Sequence, residues 1–110
     1  MTAGGRRERF EGSRMIYQLR DYTVNQGAMD AWVKEWTETV LPLRRKWGFE
    51  VVGAWVLENE NRFVWIIGYD GDFEARDAEY YASPEREGVD PDPARHLALT
   101  RTHLMRSVLA

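Results

Sequence analysis

From Phe49 to Asp70 the chain reads FEVVGAWVLENENRFVWIIGYD, two runs rich in β-branched and aromatic residues around a polar tip at Glu58 to Arg62. That pattern predicts an antiparallel hairpin with a short loop. Side chains alternate faces along a strand, so Phe49, Val51, Gly53, Trp55 and Leu57 are expected on one face of the first arm. Glu50, Val52, Ala54, Val56 and Glu58 take the other. In the second arm Phe63, Trp65, Ile67 and Tyr69 oppose Val64, Ile66 and Gly68. Both faces are apolar along most of each arm, so both need cover.

Alternation recurs near the two ends. Met15 to Thr23 (MIYQLRDYT) predicts a first strand, with Met15, Tyr17, Leu19 and Asp21 alternating against Ile16, Gln18, Arg20 and Tyr22. The second set carries hydrogen-bonding groups and ends in an aromatic ring. Ala98 to Leu109 predicts a last strand, in which Leu99, Arg101, His103 and Met105 alternate with Thr100, Thr102, Leu104 and Arg106.

Between strands the period changes. Met29, Trp32, Val33, Trp36, Val40, Leu43 and Trp47 recur at offsets of three and four, one stripe on an α-helix. Asn25 is a fair cap for its start, Pro42 predicts a kink or restart, and Gly48 ends it. Asp72 to Tyr81 predicts a second helix, capped by Asp72 and packing through Phe73, Ala78, Tyr80 and Tyr81. Ser83 to Pro93 holds three prolines and a glycine and reads as a loop, or a loop carrying one helical turn, of the kind that shapes pocket mouths, followed by a short turn at Arg95 to Leu97.

The order β-α-β-β-α-β predicts an α+β, ferredoxin-like fold: an antiparallel sheet with its helices on one face. The Leu19 set is expected to meet those helices. The opposite face then gathers Gln18, Arg20 and Tyr22 with Trp55, Trp65, Ile67 and Tyr69. A bare aromatic sheet of that size exceeds the apolar patch a monomer tolerates, so a homodimer pairing two such faces is expected. Its polar members cannot all pack dry, which predicts a cavity for a small-molecule ligand.

Composition narrows the classes. At 110 residues the chain is expected to form one domain over 15–110, preceded by a flexible, basic arm over 1–14 with arginines at 6, 7, 9 and 14. Aromatic residues reach 13%, five of them Trp, which favours a core or cavity of large flat rings. A net charge of −3 gives no bulk attraction to nucleic acid or an anionic membrane. The absence of cysteine removes disulfides, thiol nucleophiles and thiolate metal sites. No run approaches the ~20 apolar residues of a membrane span, and the basic start lacks the apolar core of a secretory signal. A cytoplasmic location is the expectation.

Several of these segments resemble the NIPSNAP family of the dimeric α/β-barrel superfamily: YQLRDYT (17–23), LPLRRKWGFEVVGAWV (41–56) and GYDGDFEARD (68–77). The resemblance spans roughly 15 to 109. It rests on Leu19, Arg20 and Tyr22, the Pro42–Gly48 helix end, Gly53 with Trp55, and the run from Tyr69 and Asp70 to Arg76. It implies a dimer enclosing a pocket, among relatives that include cofactor-free antibiotic-biosynthesis monooxygenases and haem-degrading monooxygenases. Haem is not implied here. Tyr69 stands about where the haem-degrading relatives place a Trp, and neither His96 nor His103 matches their ligand.

For chemistry, His96 and His103 lie seven apart without paired carboxylates, whereas catalytic zinc takes about three protein ligands, so no metal site is expected. There is no phosphate loop and no G-x-S-x-G elbow. What remains is a polar quartet in an aromatic cavity. Arg20 would hold an anionic or carbonyl oxygen, His103 would move a proton, and Tyr22 or Tyr69 would assist. Gln18, Trp55, Trp65, Ile67 and Tyr69 would line the ligand. Equally, Arg20 would simply pair with an acid and His103 lie exposed at a strand edge. Two functions stand: a cofactor-independent, monooxygenase-like enzyme acting on an aromatic or polyketide-like, hydrophobic molecule, and a non-catalytic dimeric binding or interaction module.

Overall fold

The structure is a computed structural model and describes residues 15–109; the basic arm expected over 1–14 lies outside them. Four strands, β1 (Met15–Val24), β2 (Glu50–Leu57), β3 (Arg62–Asp70) and β4 (Leu97–Met105), form one sheet in the order β2-β3-β1-β4. Every neighbouring pair is antiparallel. Helical segments α1 (Met29–Glu35), α2 (Leu41–Lys46), α3 (Phe73–Ala82) and α4 (Pro84–Glu87) complete the α+β, ferredoxin-like arrangement. A short 3-10 turn, Pro93–His96, leads into β4.

The predicted kink at Pro42 takes a specific form. A π-helical turn, Trp36–Val40, joins α1 to α2, and the Leu41 N–H donates to the Trp36 carbonyl five residues back. Proline has no N–H, and its ring would crowd the Glu38 carbonyl; a wider turn relieves both problems. The helix therefore continues, and Trp32, Trp36 and Arg44 all end up buried against the sheet. Gly48 follows the helix with φ +89, as a C′ glycine should.

The face that the helices cover differs from expectation. It carries Gln18, Arg20, Tyr22 and Val24 of β1, all buried, and not the Leu19 set. The register explains why. Arg20 lies opposite Trp65 and Tyr22 opposite Phe63, so the polar set of β1 shares its side with the bulkiest residues of β3. Those rings are what the helix tryptophans pack against. Tyr22, Trp32, Phe63, Trp36 and Trp65 form a closed circuit of edge-on contacts, with centroids 5.2 to 6.3 Å apart. Each such pair adds about 0.5–1.5 kcal/mol beyond simple burial.

A second correction concerns Trp55. The β2–β3 register jumps between Val51 and Gly53, so Val52 is a bulge. Beyond it the faces exchange: Ala54 pairs with Trp65 under the helices, while Trp55 pairs with Val64 on the open side. A bulge adds one residue to one strand and so breaks the strict period of two. Trp55 is 51% exposed and is separated by the whole sheet from Trp65, which is 1% exposed. His103 pairs with Leu19 and is likewise on the open face, exposed on the outer strand. Tyr69 and Ile67 are on the helix side, Tyr69 against Phe49 at 5.3 Å.

Two stability predictions follow from local geometry. Asp72 caps α3 by accepting from the Ala75 N–H at 3.1 Å, so Asp72→Ala should cost about 1 kcal/mol in urea denaturation. On the open side Arg62 donates to both Asp21 carboxylate oxygens, at 3.0 and 2.7 Å, and holds that carboxyl below its ordinary value near 3.8. A depressed folded pKa stabilises above the unfolded value and is lost as pH falls through the folded one. Acid titration of stability should therefore lose this contribution below about pH 3.8, and Asp21→Asn should flatten that limb.

Candidate functional site

Between the sheet and its helices lies a cavity of about 350 Å³. Gln18, Arg20 and Tyr22 rise into it from β1 and Trp65 from β3; Arg44 reaches in from α2, and Asp77, Tyr80 and Tyr81 from α3. Arg86, Pro93, Leu97, Thr100 and Thr102 lie around its edge. Alternation along β1 puts its three side chains on one face, and the spacing Phe73, Asp77, Tyr80, Tyr81 puts those four on one side of α3.

Arg20 is the hub. Its Nε donates to Gln18 Oε1 at 2.6 Å, its Nη1 to the hydroxyls of Tyr22 and Tyr81, both at 3.0 Å, and its Nη2 to the Asp77 carboxylate at 3.2 Å. Arg44 donates to the same carboxylate at 2.6 Å and to Tyr81 at 3.2 Å. Its guanidinium lies over the Tyr80 ring, 3.8 Å from the centroid, a cation–π contact made in a desolvated place. Both arginines are buried, at 4% and 1% exposure, and Asp77 is the one carboxylate that either contacts among the described residues.

The electrostatics follow from that crowding. Burial works against the Arg20 charge, yet Tyr22, Tyr81 and Asp77 outweigh it and keep its pKa above that of an ordinary arginine. Burial also raises the Tyr22 phenol, with Arg20 offsetting only part. For Tyr81 burial again pushes upward, but the two guanidinium groups win and its pKa falls below that of an ordinary phenol. The residue is 43% exposed, while its oxygen is held between the arginines. Because both phenol oxygens accept from cations, their own O–H groups are the donors left to point elsewhere. The site is thus a set of oriented donors within aromatic walls.

Of the residues singled out from the sequence, Gln18, Arg20, Tyr22 and Trp65 come together around this cavity. Ile67 and Tyr69 share its side of the sheet without lining it, and Trp55 and His103 are on the opposite face. The expected acid partner of Arg20 exists, but it is Asp77 of α3. Arg44, Asp77 and Tyr81 went unrecognised. The signal for Arg44 was its place four residues beyond Val40 on the stripe of Trp32 and Trp36, and for Asp77 its place four beyond Phe73. A charged residue on an apolar stripe is a buried ion waiting for a partner. Among the described residues no group of three or more His, Cys, Asp or Glu could hold a metal ion, and no helix is long and apolar enough to cross a membrane.

Compared with known proteins, residues 17–105 match the model of the NIPSNAP family. No curated protein matches the chain in sequence. Among solved structures, a NIPSNAP domain protein from Burkholderia xenovorans superposes with a TM-score of 0.74 at 16% identity, over 84% of this chain and 94% of that one. A NIPSNAP family protein from Agrobacterium tumefaciens gives 0.72 at 23%, over 84% and 86%. A solved antibiotic biosynthesis monooxygenase gives 0.65 at 17%, over 84% and 98%, so its fold is related to this one.

The shared carboxylate gives a direct test. Asp77→Ala leaves two buried guanidinium groups without their counter-ion and should cost about 3–5 kcal/mol in urea denaturation. Adding Arg44→Met to that background should recover part of the loss, a non-additivity that a double-mutant cycle measures.

Proposed function

The chain belongs to the NIPSNAP family, and we propose that it binds a small aromatic or hydrophobic molecule in the helix-side cavity, with the ligand's oxygen set against the donors around Arg20. The observation that carries this reading is a cavity of about 350 Å³, of ligand size, whose aromatic walls enclose one convergent polar cluster. Within this proposal the role of Arg20 changes from holding the ligand's oxygen itself to positioning the groups that do. Arg20 fixes the phenols, Tyr22 and Gln18 offer donors, and Trp65 forms a wall.

A cofactor-independent, monooxygenase-like reaction is the finer form of this proposal, supported by the related fold of the antibiotic biosynthesis monooxygenase. In such chemistry an activated ring CH2 is oxidised to a carbonyl and itself supplies the four electrons that O2 takes up. One atom of O2 becomes the new carbonyl oxygen, and the other leaves as water with the two hydrogens. A specific observation favours the second reading, a binding module without turnover. All three guanidinium nitrogens of Arg20 are already engaged inside the protein. Oxygen uptake with aromatic ketones and hydroquinones separates the two, since binding without uptake leaves the module.

The open face of the sheet supports a homodimer. Trp55 and Leu99 are exposed there, at 51% and 44%. Two glycines let rings lie flat on it: a Cβ at Gly53 would come within 2.7 Å of the Trp55 indole, and one at Gly68 within 2.8 Å of the Tyr17 ring. These exposed apolar side chains suit a second copy related by a two-fold axis.

Tryptophan fluorescence tests the cavity, since Trp65 and Trp32 line it. Titration with 2-naphthol or 2-naphthamide should give saturable quenching. Tyr22→Phe should weaken it roughly 2- to 12-fold, the worth of one hydrogen bond. His103→Ala should leave it unchanged, and loss of binding in that variant would put the site on the other face. Sedimentation should give a dimer at micromolar concentration and a monomer for Trp55→Glu.

A further inference from the structure

The charge in the cavity does not balance. Arg20 and Arg44 are almost wholly buried, yet one carboxylate, Asp77, serves both. Arg86 adds a third guanidinium to the lining, and its own partner, Asp92, is not part of the lining and is more than half exposed. Arg44 keeps Nε buried with no hydrogen-bond partner. A buried positive charge without its counter-ion is costly, and three conditions lower that cost: a shared acid, aromatic faces, and an anion arriving from outside. The first two are in place. Tyr80, Phe49, Tyr81 and Trp65 all present rings to Arg44.

We propose that the ligand of this cavity is a monoanion, an aromatic molecule bearing a carboxylate or an ionised enol or phenol, whose charge completes the pair of arginines that Asp77 leaves half neutralised. The inference rests on the cavity being the binding site and adds the charge of what it selects. The anion's oxygen accepts from the Tyr81 and Tyr22 hydroxyls, whose own oxygens are held by Arg20, so the cations act through the phenols. A carboxylate and an ionised enol present the same oxygen to these donors.

One internal competitor exists. Tyr81 is flanked by both guanidinium groups, at 3.0 and 3.2 Å, and a Tyr81 phenolate would itself restore the balance. In that state the cavity would favour a neutral molecule carrying an acidic proton. The two states differ in which ligand wins and in whether the free protein carries a phenolate band.

The experiment compares isosteric probes on the 110-residue chain at one ionic strength: 2-naphthoate against 2-naphthamide, by calorimetry and tryptophan quenching. The expected result is naphthoate binding at least about ten-fold tighter, with no phenolate absorbance in the free protein at neutral pH. In Arg44→Met the preference should shrink to about three-fold or less, with a cooperative urea transition as the sign that the variant folds, and a ten-fold preference kept in the folded variant would overturn the inference. Equal affinities, or a naphthamide preference, would overturn the anion inference while leaving the cavity a binding site. A phenolate band lost in Tyr81→Phe would overturn it in favour of the internal counter-ion. If neither probe binds, the reading of the cavity fails and the inference goes with it.

Discussion

One carboxylate between two buried guanidinium groups governs this architecture. Asp77 stands on α3, Arg44 on α2 and Arg20 on β1, so a single acid ties both of these helices to the sheet. Desolvating three charges is affordable only where every charge meets an opposite or an aromatic face. That demand fixes the neighbours. Tyr80 lies under Arg44, the Tyr81 oxygen bridges both cations, and Gln18 takes the last direction of Arg20. The polar cluster and the aromatic circuit beside it form one continuous filling between helices and sheet.

Two irregularities in the backbone make that filling possible. The π turn before Pro42 lets the helix run on and delivers Arg44 to the interior, where a sharp kink would have aimed it elsewhere. The bulge at Val52 sends Trp55 to the open face and keeps Val51, Ala54 and Val56 on the helix side, opposite Ile67, Trp65 and Phe63. Each adds one residue to a regular repeat, and each changes which side chains meet. The consequence is a difference between faces: the helix side holds the cavity, and the open side leaves Trp55 and Leu99 exposed.

Much of the fold was legible in the residue pattern. The strand at Met15, the hairpin, the cap at Asp72 and the ferredoxin-like order all appear where the periodicity put them, and the family resemblance carried by Leu19, Arg20, Tyr22 and the Pro42–Gly48 helix end is matched by the family model. The candidate site was half legible. Gln18, Arg20, Tyr22 and Trp65 do surround one cavity: the alternation that puts the first three on one face is local to β1, and the antiparallel pairing with β3 brings Trp65 beside Arg20. Its acid and its second cation were missed, since a charge on a helix reads as solvent-facing until something is known to sit across from it.

By itself, the sequence determined the elements, their order and which residues share a face within any uninterrupted strand, because periods of 2 and 3.6 are set by backbone geometry alone. Only the tertiary structure decided which face of the sheet the helices would cover. Both faces are apolar enough to attract cover, so the choice turned on pairing across long separations: Arg20 with Asp77, and Tyr22 and Trp65 with the tryptophans of α1 and its π turn. It also decided that Trp55 and His103 part company with Arg20, since one is carried across by a bulge and the other by the register of β4 on β1. Charge balance in the cavity belongs to that same level, for it depends on how few acids the fold brings within reach of two buried cations.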